Sequence, residues 1–261
     1  MTGVQAVVLG TIQGLTEFLP VSSSAHLYVI PTLMGWRYAG LAFDVALHWG
    51  TLIALLVAFW RDWLELVRGL FAADPARRLK ARDTWLKLIV ASLPAATIGL
   101  LVRDLPQSWV RSLPLQAALL FGFGFILWWV DRMSPAERDE AVPGWGTCLF
   151  MGAAQTLALV PGVSRSGVTI TAGRAARLTR VAAARFSFLL ATPITFGAGL
   201  AELRHMPHDV PVVTLGIGVV SAAVVGLIAI HGLIRWLGRA GLGVFFAYRA
   251  AFALLIVLWP R

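Results

Sequence analysis

Residues 13–26 read QGLTEFLPVSSSAH, and residues 155–167 read QTLALVPGVSRSG. Each interrupts an apolar stretch, about 4–34 and 145–172, with proline, glycine and serine. Neither stretch makes a clean helix. Broken helices at membrane depth survive only where protein or a cavity covers their freed backbone groups. Both therefore read as re-entrant helix–turn–helix hairpins. Laid together without gaps, Gln13 meets Gln155, Leu15 meets Leu157, Val21 meets Val163, Ser22 meets Ser164 and Ser24 meets Ser166.

Around the hairpins, six apolar stretches are long enough to span a bilayer at about 20 residues each: roughly 41–60, 86–103, 112–130, 186–203, 210–230 and 242–259. The fold class expected is an all-α polytopic membrane protein with six transmembrane helices and two hairpins. It forms one membrane domain of two repeats, about 1–133 and 143–261. Three spans per half, an odd number, make the halves inverted, a plan that places a site where broken helices meet near the midplane.

Composition agrees. Of 261 residues, 58% are hydrophobic and only 13% charged, with a mean hydropathy of +0.78, too little polar surface for a water-soluble domain. Ten of the 11 Trp residues, Trp109 among them, fall near the ends of apolar runs, as an aromatic belt requires. The net charge of +9 sits in short loops, which argues against nucleic acid as a partner. The single cysteine, Cys148, excludes an internal disulfide framework.

Orientation follows from counting Lys and Arg. The segment Arg61–Lys87, read as a loop, carries seven, and the three segments that alternation puts on its side bring the total to 15. The opposite side has five: Arg37, Arg103, Arg111, Arg204 and Arg261. Both termini are expected outside.

Glu17 is the only Asp, Glu, Lys or Arg between Val4 and Trp36. Facing lipid it would cost about 2.5–3.5 kcal/mol, so it faces a cavity or a partner. Gln13 lies one helical turn before it. Ser22, Ser23 and Ser24 stand where a second half-helix starts and can cap its free N–H groups. His26 shares their face. In the other hairpin Arg165 is the only charge between Glu140 and Arg174, among Ser164, Ser166 and Thr169. An arginine fork beside a helix N-terminus suits a phosphate. Each feature also has a structural reading: small polar residues pack membrane helices, and Glu17 with Arg165 could be a buried ion pair. Asp44 and His48, four apart at the start of a span, read as structural. Arg249, inside the last span, serves either to neutralise a carboxylate or to bind substrate.

These residues resemble the undecaprenyl-diphosphatase family, also called bacitracin-resistance proteins. QGLTEFLPVSSSAH resembles its (E/Q)-x-x-x-E motif with the following serines and histidine. PGVSRSGVT, from Pro161, resembles P-G-x-S-R-S-x-x-T, and FSFLLATP and FAYR are similar to the family as well. The resemblance implies an inner-membrane enzyme that removes one phosphate from undecaprenyl diphosphate, the lipid substrate, and thereby confers bacitracin resistance. It implies a divalent cation, Mg²⁺ or Ca²⁺, and a site open to the periplasm. Carried across, Glu17 and Gln13 meet the metal, Ser23 is the nucleophile, His26 assists proton transfer and Arg165 completes the catalytic set. Ser22, Ser164, Ser166, Thr169 and Arg249 are the substrate-binding candidates. Water activated by His26, or His26 itself, are rival nucleophiles. Two positions depart from the pattern: Gln13 supplies one charge fewer than Glu, and Ala25 replaces glycine. The rival function is a flippase or secondary transporter of polyprenyl phosphates using the same site. A homodimer is one assembly the sequence allows.

Overall fold

A computed structural model of the chain describes residues 1–37, 40–102, 112–202 and 210–259. Trp109 of the aromatic belt and the basic residues Arg103, Arg111, Arg204 and Arg261 lie outside the described residues.

Helix α1 (Gly3–Phe18) ends for a local reason. Leu19 precedes Pro20, whose ring disfavours the helical region for its predecessor, and Leu19 is extended at φ −65°, ψ 140°. Ser22 then takes a positive φ of 75°, and α2 (Ser23–Leu33) begins. The second break repeats this. Helix α7 (Trp145–Thr156) runs into a 3₁₀ turn (Leu157–Leu159), Pro161 and Gly162 follow, Ser164 takes φ 78°, and α8 (Arg165–Ala175) begins. Ser22 and Ser164, matched in the ungapped alignment, thus share a backbone conformation that costs a non-glycine residue of order 1–3 kcal/mol. The expected capping differs between them. Ser164 Oγ accepts from the Gly167 N–H at 3.2 Å, whereas Ser22 makes no such bond and its Oγ lies 3.2 Å from Ser24 Oγ.

The remaining helices are α3 (Leu41–Ala58), α4 (Trp60–Leu70), α5 (Pro75–Val102), α6 (Leu113–Met133), α9 (Arg180–Glu202), α10 (Val212–Leu237) and α11 (Gly243–Leu258). The six stretches expected to span appear as α3, α5, α6, α9, α10 and α11. Four of them, α5, α6, α9 and α10, are each long and apolar enough to cross a membrane. Helix α3 passes that test together with α4, from which it bends by 72°, and α11 is apolar but only 16 residues long. The protein is an all-α, multi-pass membrane protein.

The basic segment expected as a loop is instead α4 and the first turns of α5. Charged residues Arg61, Asp62, Glu65 and Arg68 recur at helical spacing among tryptophan and leucine, a period that a search for unbroken apolar runs passes over. Arg174, a loop charge in the orientation count, is 2% exposed: its Nε donates to Asp131 Oδ1 at 2.9 Å, and Arg180 Nε reaches the same carboxylate at 2.8 Å.

Close approach between helices depends on glycine. Helix α1 packs on α10, and α7 packs on α5. A Cβ on Gly10 would sit 2.3 Å from the Gly218 carbonyl oxygen, and one on Gly152 would sit 2.1 Å from that of Ala91. Small residues of this kind let membrane helices share van der Waals contact along their backbones. Helix α3 also packs on α10, and α9 on α5. The main core gathers around α9, which packs on α8, α3 and α5, and α1 joins it through Phe18, whose ring meets that of Phe188 edge to face at 5.5 Å.

Candidate functional site

The two breaks bring their polar residues to one cavity of ≈ 220 Å³. Glu17, Ser22, Ser23 and Ser24 border it from the first hairpin, Ser164 and Arg165 from the second. Glu17 is its centre and is only 7% exposed. One oxygen, Oε1, accepts from Arg165 Nη2 at 2.8 Å; the other, Oε2, accepts from Ser23 Oγ at 2.6 Å and Gln13 Nε2 at 3.2 Å. A carboxylate taken out of water needs such donors to stay charged.

His48, structural by its sequence context, borders the cavity with its Nε2 3.4 Å from Glu17 Oε2. Its Nδ1–H donates to the Asp44 backbone carbonyl at 2.7 Å, which aims Nε2 at the carboxylate. The spacing to Asp44 is visible in the sequence, but the contact to Glu17 is tertiary. Gln155, which the sequence marks only as the repeat partner of Gln13, also borders the cavity. Its amide oxygen and nitrogen are buried and meet no hydrogen-bond partner among the described residues. The same is true of Arg165 Nη1. Buried polar atoms of this kind are costly unless a ligand or water meets them.

Four candidates are held elsewhere. Among the lining residues His26 is absent; it is 1% exposed, with Nδ1 2.7 Å from the Ser22 carbonyl oxygen, Nε2 2.7 Å from the Tyr248 hydroxyl, and its ring stacked on Phe252 at 4.2 Å. Both nitrogens are engaged away from the cavity. Thr169 is fully buried, and its hydroxyl lies 2.8 Å from the Arg165 carbonyl oxygen and 2.6 Å from Ser187 Oγ. Ser166 Oγ donates to the Leu19 carbonyl at 3.1 Å, tying one hairpin to the other. Arg249, a substrate-binding candidate by sequence, is fully buried and, among the described residues, donates only to backbone carbonyls. Two of these placements share a cause: the turns leave the Leu19, Pro20, Gly162 and Val163 carbonyls without intrahelical donors, and Ser166 and Arg249 donate to them, whereas Thr169 bonds back within its own helix and to Ser187.

The arrangement can hold an anion and supply a nucleophile. Arg165 Nη1 and the N–H groups opening α8 face negative charge favourably, and the Ser23 hydroxyl touches a carboxylate able to take its proton.

The chain is similar to known proteins along its whole length. The family model for bacitracin resistance protein BacA matches residues 6–255. An undecaprenyl-diphosphatase of Desulforudis audaxviator is 43% identical over 262 residues, covering 99% of this chain and 98% of that protein. One from Moorella thermoacetica is 45% identical over 264 residues, covering all of both chains. Undecaprenyl-diphosphatase 2 of Stutzerimonas stutzeri is 44% identical over 265 residues, 98% of each chain.

Proposed function

We propose, for a chain that belongs to the bacitracin resistance protein BacA family, that it hydrolyses undecaprenyl diphosphate to undecaprenyl phosphate and inorganic phosphate. The observation that carries the chemistry is the 2.6 Å contact between Ser23 Oγ and Glu17 Oε2 in a cavity bordered by Arg165. Ser23 Oγ attacks the terminal phosphorus and its proton passes to Glu17. The bond from that phosphorus to the bridging oxygen breaks, and undecaprenyl phosphate leaves. Water then attacks the phosphoserine, regenerating Ser23 and releasing phosphate. Arg165 stabilises charge on the transferred group through Nη1, with Ser164 and Ser22 beside it.

Beside the Glu17 carboxylate stand the Ser23 hydroxyl and the Gln13 amide, which offer oxygens of the kind that suits Mg²⁺ or Ca²⁺, together with the nitrogens of Arg165 and His48. Gln13 Oε1 is buried and meets no hydrogen-bond partner among the described residues, which supports the same fit. Among the described residues no three His, Cys, Asp or Glu side chains gather, so the ion would be shared with diphosphate oxygens. Glu17 and Gln13 would hold it, and it would neutralise phosphate charge as a Lewis acid.

The site is assigned to the periplasmic side of the bacterial inner membrane, with both termini on that side; the Lys and Arg bias supports this. Both broken helix pairs are read as re-entrant and the halves as inverted repeats. Supporting this, α1 packs on the other half's α10 just as α7 packs on α5.

The test is phosphate release from undecaprenyl diphosphate by purified protein in detergent, with and without EDTA. Metal-dependent release is expected. No release with any metal would sink the hydrolase reading and turn attention to lipid transport.

A further inference from the structure

Arg249 has neither role that its position in an apolar span suggests. Among the described residues no carboxylate pairs with it, and it does not border the cavity. Its guanidinium instead joins three backbone segments. Nη1 donates to the Pro20 carbonyl at 3.2 Å in the first turn, and Nη2 to those of Gly162 at 2.9 Å and Val163 at 3.2 Å in the second. Nε donates to the Leu120 carbonyl at 2.8 Å, and Nη2 also reaches that of Leu119 at 3.2 Å, both on α6. Pro20 stands between Glu17 and Ser23, and Val163 immediately precedes Ser164 and Arg165.

We propose that Arg249 is a positioning residue for the phosphatase reaction, setting the separation of the two hairpin turns so that Ser23 and Arg165 address one phosphoryl group. The proposal rests on the hydrolase reading of the site. Only a planar fork of five donors serves carbonyls lying in several directions at once; a lysine ammonium is a single point. The space is shaped for that fork. A Cβ on Gly124 would sit 3.1 Å from Arg249 Nε, and one on Gly167 3.2 Å from Nη1. The neighbouring Tyr248 grips the first hairpin a second time, through His26 and the Ser22 carbonyl. Helix α11 thus holds the positive-φ turn at both Pro20 and Ser22 without lining the cavity.

The experiment compares wild-type protein with Arg249→Lys, Arg249→Ala and Gly124→Ala for phosphate release from undecaprenyl diphosphate, each with a thermal melt in detergent. A misplacement of about 1 Å costs about 100-fold in rate, so Arg249→Lys should lose about that much kcat with KM within about threefold. Methylguanidinium should restore at least part of the rate to Arg249→Ala, since it refills the fork. Wild-type kcat in Arg249→Lys overturns the proposal. So does a loss carried by KM at unchanged kcat, which would make Arg249 a substrate ligand. If the Arg249 variants do not fold, Gly124→Ala decides, because it crowds the guanidinium without removing it. A several-fold drop in kcat at an unchanged melt supports positioning, and an unchanged kcat overturns it. An inactive wild type marks failure of the hydrolase reading. An active wild type beside a fully active Arg249→Lys marks failure of this proposal alone.

Discussion

Arg165 Nη2 meets Glu17 Oε1 at 2.8 Å across 148 residues of chain, and this contact joins the two hairpins at the cavity. Removing one partner strands the other charge in a buried place, which costs about 3–5 kcal/mol. Glu17→Gln and Arg165→Met should therefore each lower the melting temperature in detergent. The double variant should recover part of that stability and none of the activity. Activity should fall by about 10²–10³ in kcat/KM for either single change, as for loss of one charge-stabilising group. Full recovery of turnover in the double variant would reduce the pair to a structural role.

Ser23 and Ser24 border the same cavity, but only Ser23 is bonded to Glu17. Ser23→Ala should abolish turnover, while Ser24→Ala should cost less than about tenfold, removing one hydroxyl from the lining. Rapid acid quenching followed by mass spectrometry should find phosphate on Ser23. Undiminished turnover by Ser23→Ala eliminates the covalent route and leaves attack by water.

The two histidines are placed otherwise than their sequence contexts suggest. His26 follows the serines closely and has the local look of a proton shuttle, yet its nitrogens hold the Ser22 carbonyl and the Tyr248 hydroxyl. His48 lies in another helix and faces Glu17. Tyr248→Phe removes one hydrogen bond, worth about 1 kcal/mol, and should shift the melt with kcat changed less than about tenfold. A general acid or base contributes about 10²–10⁴, so a loss of that size in Tyr248→Phe would return His26 to the chemistry. His48→Asn should lower kcat/KM by about tenfold or more, as the loss of a group touching the reacting cluster.

What the sequence made legible was discontinuity. Pro20 closes α1 and Pro161 closes the 3₁₀ turn that continues α7, and the serines after them recur at matching offsets, so both turns and the meeting of Glu17 with Arg165 could be expected. What it could not display was the partner of each polar side chain. Thr169, Ser166 and Arg249 carry donors in apolar surroundings, which reads as readiness for a ligand. Ser166 and Arg249 meet backbone carbonyls of the turns, while Thr169 meets the carbonyl four residues back in its own helix and the Ser187 hydroxyl. Helix α4 escaped for the opposite reason, since its charges conceal the period of a helix from a search for apolar runs.

The matched packing of the two halves gives the last prediction. Gly152 faces the Ala91 carbonyl oxygen so closely that a Cβ would lie at 2.1 Å, and the atom it meets is backbone, which cannot rotate away. Gly152→Ala must therefore part α7 from α5. Overpacking of this kind costs about 1–3 kcal/mol. It should also lower activity, because α7 carries Gln155 and leads on to Ala158 and Leu159, all on the cavity wall. Gly10 stands in the same relation to Gly218 across α1 and α10, at 2.3 Å, so Gly10→Ala should move the melt by a similar amount. Gly146 also lies on α7, but a Cβ there would meet nothing within 4 Å among the described residues, and Gly146→Ala should leave both melt and kcat as they were. Equal melts for Gly152→Ala and Gly146→Ala would mean that the backbones of α5 and α7 do not touch. Unequal responses at Gly10 and Gly152 would count against the pairing of the two halves, since a repeat should carry the same contact twice.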